Sequence, residues 1–301
     1  MALWSAVGAM PGTSARLGIP GGWLGCRGLS GDKTAVGLDT SMPGKRVPIY
    51  LIAAVTLLAM SAPAQWVNYK TPGIPRTADG KPDLDAPAPR TADGKPDLSG
   101  LWQPESGGPD PQFADIAKKT PGGLPFQPWA ADLVKARRAE NNKDDPDGHC
   151  QPLGAVKIHL HPYPRKILQT PGLMVILYER DTVYRQIFTD GRPLPDDPQP
   201  SYYGYSTAKW EGDTLVVETI GFRDGLWLDI SGTPLTGAAK VTERYRRPSF
   251  GKLEIDVTVD DPKAYTKPWS IRVNQKYAAD TEVMEFYCNE NNRDVEHLVG
   301  K

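Results

Sequence analysis

The chain has 301 residues, enough for one large domain or two small ones, with a net charge of −1 and an ordinary hydrophobic content of 39%. Near-neutral charge gives no footing for a nucleic-acid partner or another polyanion. Glycine and proline contribute 30 residues each, so proline is at about twice its usual share and favours turns over long helices.

Residues 43–65 read PGKRVPIYLIAAVTLLAMSAPAQ. Lys45 and Arg46 precede an apolar run from Val47 to Met60, and Ala62-Pro63-Ala64 fits the small-x-small rule for signal peptidase. Residues 42–64 are therefore predicted to be a signal peptide cleaved before Gln65, giving a periplasmic or extracellular protein. The run is too short for a stable membrane span, so none is expected after processing. Met42 stands just ahead of the signal, and residues 1–41, rich in glycine, serine and alanine, are expected to be a non-native upstream extension.

Residues 65–98 hold a tandem repeat: PRTADGKPDL occurs at Pro75–Leu84 and again at Pro89–Leu98. The unit is polar and punctuated by Asp-Gly and Lys-Pro, so it reads as a disordered linker. The ordered domain is expected to begin at Ser99-Gly100-Leu101-Trp102 and to fill residues 99–301. Pro128 opens a predicted short helix ending near Asn141-Asn142, with Trp129, Leu133 and Ala136 on one face.

From residue 155 the pattern is one of strands, predicted near 155–160, 165–170, 173–179, 182–189, 205–210, 214–221, 239–247, 252–260, 268–277 and 282–288. Connections such as Glu211-Gly212-Asp213 and Ser249-Phe250-Gly251 are short, which implies antiparallel neighbours. Alternation is cleanest where Leu253, Ile255, Val257 and Val259 interleave with Glu254, Asp256, Thr258 and Asp260. The fold class is mainly β: an antiparallel meander closing into a calycin- or lipocalin-like barrel with one short docked helix, a sandwich being the alternative.

Several runs in this order, among them DGKPDLSGLWQP, CQPLG, PYPRKILQTPGL, RQIFTDGR, WEGDTLVVETIGF, DDPKAYTKPW and CNENNRD, resemble a family of secreted bacterial proteins common in acidobacteria. The resemblance spans about residues 89–301. It implies export and one compact domain, and no particular reaction.

Cys26 precedes the signal, leaving Cys150 and Cys288 as an even pair in an exported chain, predicted to form a disulfide. His159 and His161 fall on one face of the predicted strand at 155–160, the H-x-H spacing of strand-borne metal sites. A cupin-type site would need further ligands, and the sequence here supplies Pro162 and Pro164, so neither metal nor cofactor is expected. Glu218, between Val216 and Ile220, is a candidate general acid unless a neighbouring strand's Arg244 or Arg246 pairs with it. Asp229 is a second acid–base candidate. Tyr203, Trp210, Trp227, Tyr265 and Trp269 gather near strand ends, where aromatics line pockets or fill cores. Arg185, alternating with Val183 and Ile187, is placed to meet an acidic ligand head. No nucleophile elbow, P-loop, dinucleotide fingerprint or HExxH motif is present in the sequence. The leading expectation is an exported barrel that binds a small apolar or amphipathic molecule. A secreted acid–base enzyme using Glu218, Asp229, His159 and His161 is the alternative, and an envelope interaction module the third.

Overall fold

In the computed structural model, residues 69–105, 116–120 and 122–290 are described. The chain divides into two units, Met1–Ala62 and Pro63–Lys301, and the described residues all belong to the second. The expected upstream extension, signal peptide and cleavage site lie outside them.

Nine strands form a closed barrel: β1 (Gly100–Pro104), β2 (Arg165–Thr170), β3 (Leu173–Tyr178), β4 (Val183–Phe188), β5 (Tyr205–Glu211), β6 (Thr214–Ile220), β9 (Lys240–Ser249), β10 (Lys252–Asp260) and β11 (Trp269–Tyr277). Around the ring the order is β1-β11-β10-β9-β6-β5-β4-β3-β2. β7 (Leu226–Trp227) and β8 (Pro234–Leu235) make a separate two-stranded ribbon in the β6–β9 connection. The mainly β barrel expected from the alternation is what the chain forms.

It is not a pure antiparallel meander. β4 and β5 run parallel and share only two register pairs, Ile187 with Ser206 and Phe188 with Thr207. The other seams are antiparallel. A parallel neighbour needs a long connection instead of a tight turn, and residues 189–204, rich in proline, supply it.

Period-two alternation fixes the inner face. On β9, Val241, Glu243, Tyr245 and Arg247 are buried while Arg244 and Arg246 are exposed. On β10, Leu253, Ile255, Val257 and Val259 point inward. Trp102, Ile167, Met174, Ile176, Leu215 and Val217 complete much of the apolar filling.

Besides a single helical turn at Ile116–Lys119, two helices among the described residues accompany the barrel. α1 (Pro128–Ala139) begins at the predicted proline, but it buries Ala130 and Val134 and leaves Trp129 exposed. α2 (Gly154–Leu160) occupies the segment expected to be a strand and is buried along its whole length. A short apolar run such as GAVKIHL cannot be assigned by periodicity alone, because a fully buried helix has no polar face to reveal its period. The strand expected at 282–288 is also absent; only an isolated bridge between Arg180 and Phe286 forms there.

The tandem repeat, expected to be a disordered linker, is ordered throughout. Each copy folds into the same small hairpin, bridged at Arg76 and Pro82 and at Arg90 and Pro96. In both, the glycine N–H donates to the threonine carbonyl at 2.9 Å and the threonine N–H to the lysine carbonyl at 2.9 Å. Each arginine donates to its own glycine carbonyl and then reaches outward, Arg76 to Asp280 at 2.5 Å and Arg90 to Asp213 at 2.7 Å. Between the hairpins the backbone of Leu84 lies so close to the β9–β10 turn that a side chain on Gly251 would sit 2.8 Å from the Leu84 carbonyl oxygen. After the second hairpin, Leu98 is fully buried and its carbonyl accepts the Trp102 indole N–H at 3.0 Å.

Cys150 and Cys288 are bonded, with Cα atoms 5.4 Å apart and a sequence separation of 138. The bridge ties the loop after α1 to the segment following β11, and Arg180 braces the spot by pairing with Asp147 and Asp181. Closing a loop of this length removes roughly 5 kcal/mol of unfolded-state entropy in the chain-entropy model. The Cys150→Ser/Cys288→Ser double variant is expected to lose about 2–5 kcal/mol of stability. Urea denaturation of the oxidised parent and the double variant, side by side, checks this.

Candidate functional site

The middle of the barrel is polar and charged. Glu243 on β9 has no exposed surface, and an isolated carboxylate there would be prohibitively costly. Three side chains contact it. Arg185 on β4 makes a two-pronged contact, Nη1 to Oε1 at 3.0 Å and Nη2 to Oε2. The His159 Nε2 lies 2.6 Å from Oε1, and the Tyr245 hydroxyl donates to Oε1 at 2.9 Å. Arg185 also donates to Ser206 on β5 and, at 2.8 Å, to Thr219 on β6. β4, β5, β6, β9 and α2 thus meet in one hydrogen-bonded knot.

Behind His159 lies a second buried cation. Arg165 on β2 donates from Nη1 to His159 Nδ1 at 3.3 Å and from Nη2 to the His161 carbonyl at 3.0 Å. A guanidinium has no acceptor, so Nδ1 carries the lone pair and the Nε2 proton goes to Glu243. His159 is therefore neutral, in keeping with a pKa lowered first by burial and further by Arg165 and Arg185. Burial alone would raise the Glu243 carboxyl, but Arg185 and the His159 hydrogen bond hold it well below the usual range. Both imidazole nitrogens are committed, so His159 offers no free base to a substrate.

A cleft leads from the surface to this knot. It lies at the short parallel seam, where Val183 to Gln186 of β4 have no partner on the β5 side. The cavity has a volume of about 500 Å3; Tyr203, Tyr205, Tyr202 and Phe188 form its walls, and it reaches Arg185 and Ser206. Phe188 stacks on Tyr205 at 5.3 Å and the Arg192 guanidinium covers Phe188 at 3.9 Å. Tyr203 stacks on Tyr178 at 5.7 Å. Gly204 (φ 65°) turns the chain into β5, and any Cβ there would stand 2.6 Å from the Ile220 carbonyl oxygen. A second cavity of about 530 Å3 opens near the second repeat, between Thr91, Ala92 and Asp93 and the barrel residues Met174, Trp210 and Leu215.

The candidates from sequence scatter. Tyr203 and Arg185 share the cleft, but Arg185 spends its donors on Glu243, Ser206 and Thr219 instead of standing free for an acidic ligand. Trp210 lines the other cavity. Trp227 is buried under Arg137, whose guanidinium lies 4.3 Å from the ring centroid. Tyr265 and Trp269 pack edge to face at 5.4 Å in the core.

The four acid–base candidates do not meet. Glu218 is on the outer face of β6, paired with Lys240 instead of an arginine; Leu215, Val217 and Thr219 form the inner face. Asp229 is buried in its own turn, accepting from the N–H groups of Ile116 at 2.7 Å, Ser231 at 3.0 Å and Thr233 at 3.1 Å. His161 leaves α2 on another side, 3.6 Å from Asp147. The H-x-H pair is therefore not on one face. Among the described residues, no group of three or more His, Cys, Asp or Glu side chains is placed to hold a metal ion.

Glu243 and Arg165 escaped the sequence reading. Glu243 was detectable, since it falls in phase with Val241 and Tyr245. Arg165 had no such signal, because Pro164 precedes it and one step of alternation settles nothing.

Comparison with known proteins assigns no family: no family model matches the chain, and no curated protein matches it either.

The buried charges predict acid sensitivity. The folded state resists protonating His159, so the unfolded chain takes up that proton first and stability falls as pH drops below about 6.5. Glu243 is ionised in the fold at a depressed pKa. Its contribution is complete above about pH 4.3 and is lost as pH falls toward the folded value. Denaturation midpoints measured from pH 8 to 3 are expected to show both declines, the lower one shallower in Glu243→Gln. At neutral pH, Glu243→Ala strands Arg185 and is expected to cost about 3–5 kcal/mol, whereas Glu243→Met/Arg185→Met loses less than either single change.

Proposed function

We propose that the protein binds a small amphipathic molecule in the cleft between β4 and β5. The observation that carries this reading is a 500 Å3 cavity, walled by aromatic rings, that runs to buried polar groups. That is the anatomy of a small-molecule site: apolar walls supply binding area and a few polar atoms fix orientation. Four aromatic residues give stacking surface at low entropic cost, and the barrel holds them preorganised. The acid–base alternative is weaker, because Glu218, Asp229, His159 and His161 occupy four different surroundings.

We also propose that the protein works outside the cytoplasm. The disulfide is at home in an oxidising compartment, and among the described residues no helix is long and apolar enough to cross a membrane. The signal-like segment at 42–64 and the resemblance to secreted bacterial proteins support the same reading.

A thermal-shift screen of the purified chain with aromatic and alkyl probes tests the cleft. At 100 times its Kd a ligand adds roughly 2.7 kcal/mol, which for a domain of this size raises Tm by about 5–10 °C. Phe188→Ala is expected to weaken binding at least about tenfold, the loss of one well-packed ring. Trp210→Ala, in the other cavity, is expected to leave it unchanged. Binding that survives Phe188→Ala but is lost in Trp210→Ala moves the site to the repeat-covered cavity.

A further inference from the structure

The buried knot does not balance its charge. Arg165 and Arg185 are cations, Glu243 is the one anion among them, and His159 is neutral, so this knot holds one positive charge in excess. Arg185 owns the carboxylate. Arg165, 2% exposed, has none. Burial pushes its pKa down to about 10, and the neighbours opposing that shift are tyrosines, Tyr178, Tyr245 and Tyr203.

Its hydrogen bonding is also incomplete. Arg165 Nε has no partner, and neither does the hydroxyl of Tyr203; the Tyr178 hydroxyl is within hydrogen-bonding reach of Arg185, which can only donate to it, so its own proton is unplaced. All three atoms are donors, and each lost partner at a buried donor carries the full desolvation penalty. They lie together: Arg165 and Tyr178 are directly opposed in the β2–β3 register, and the Tyr178 ring stacks on Tyr203, which lines the cleft. The Tyr178 hydroxyl lies beside Arg185, a further source of positive potential.

Arg247 shows that this is not the general treatment of buried arginine in the protein. It too lacks a carboxylate, yet it donates to the carbonyls of Asp97, Ser99 and Phe250. Its guanidinium also sits against Trp102 and Phe250. Arg247 is complete; the Arg165 cluster lacks an acceptor.

We propose that Tyr203 of the β4–β5 cleft wall, with Tyr178 and Arg165 packed behind it, forms an anion subsite that takes the carboxylate of an amphipathic acid whose aromatic or alkyl body lies in the cleft. This rests on the cleft reading above and narrows it to acids. A carboxylate brings one negative charge, which neutralises the excess, and two oxygens able to accept from an N–H and two hydroxyls.

Matched probes test it: 4-phenylbutyrate, 4-phenyl-1-butanol and formate, titrated calorimetrically into the full chain at pH 7 in chloride-free buffer. The acid is expected to bind at least about tenfold tighter than the alcohol, the usual margin for a hydrogen-bonded charge. Arg165→Gln is expected to abolish that margin. Tyr178→Phe and Tyr203→Phe, which keep the rings, carry the test if Arg165→Gln fails to fold. Each is expected to weaken the acid about three- to tenfold while the alcohol is unaffected. Equal affinity for acid and alcohol overturns the anion subsite and leaves the cleft reading standing. Binding of neither overturns both. Formate binding as tightly as phenylbutyrate, with no gain from the phenyl body, also overturns it, since the subsite would then be a separate ion site.

Discussion

A charged pair buried at the centre of a barrel is the constraint on which the rest of this structure depends. Glu243 and Arg185 would each be ruinous alone in that setting, and their mutual attraction repays desolvation only if every remaining lone pair and proton finds a partner. Ser206, Thr219, Tyr245 and His159 are those partners, and they come from β5, β6, β9 and α2. The requirement therefore reaches beyond the pair. It fixes the register of β9, because a slip of one residue would send Glu243 outward and bring Arg244 into the interior. It also calls for α2 at one end of the barrel, since His159 and its carbonyl, which accepts from Gln275 at 3.3 Å, have no substitute elsewhere.

How much of this could be read from the sequence depends on the range of the information. The strands were legible where one face is wet, as in β10 with its Leu253-to-Val259 alternation, because alternation is local. The disulfide was legible because, with Cys26 set aside ahead of the signal, the two remaining cysteines allow one pairing. β6 was half legible: Thr214–Ile220 reads as a strand, but Val216 and Ile220 on one face and Leu215 and Val217 on the other left its inner side undecided, and with it whether Glu218 is buried or paired at the surface. α2 was illegible for the opposite reason, being buried on all sides. The parallel seam, which creates the cleft, has no local signature, since it depends on which strand comes to lie beside β4 after a sixteen-residue connection.

The repeat teaches a different lesson. Its polar composition argued for disorder because it cannot bury a face; only its terminal leucines, Leu84 and Leu98, reach the core, and the hairpins themselves are ordered otherwise. Each copy is held by turn chemistry: a threonine that hydrogen-bonds an aspartate two residues on, a glycine at positive φ (80° in one copy, 79° in the other), and an arginine that closes the hairpin. Composition measures how much apolar area a segment can hide. It does not measure how many of its own backbone groups a segment can satisfy.

The parallel seam at the cleft has an origin that no side chain controls. Walk once around the barrel and reverse direction at every antiparallel seam; on returning to the first strand the direction must be the original one. The number of reversals is therefore even. Nine strands make nine seams, an odd number, so at least one seam has to be parallel. The β4–β5 seam is that parity remainder. Substitutions can reshape its walls and change what it holds, but none can close it into an ordinary antiparallel ladder while the ring keeps nine strands. The parallel seam is thus a topological invariant of a nine-strand ring, whereas the opening beside it comes from how briefly the two strands pair, over two register pairs only.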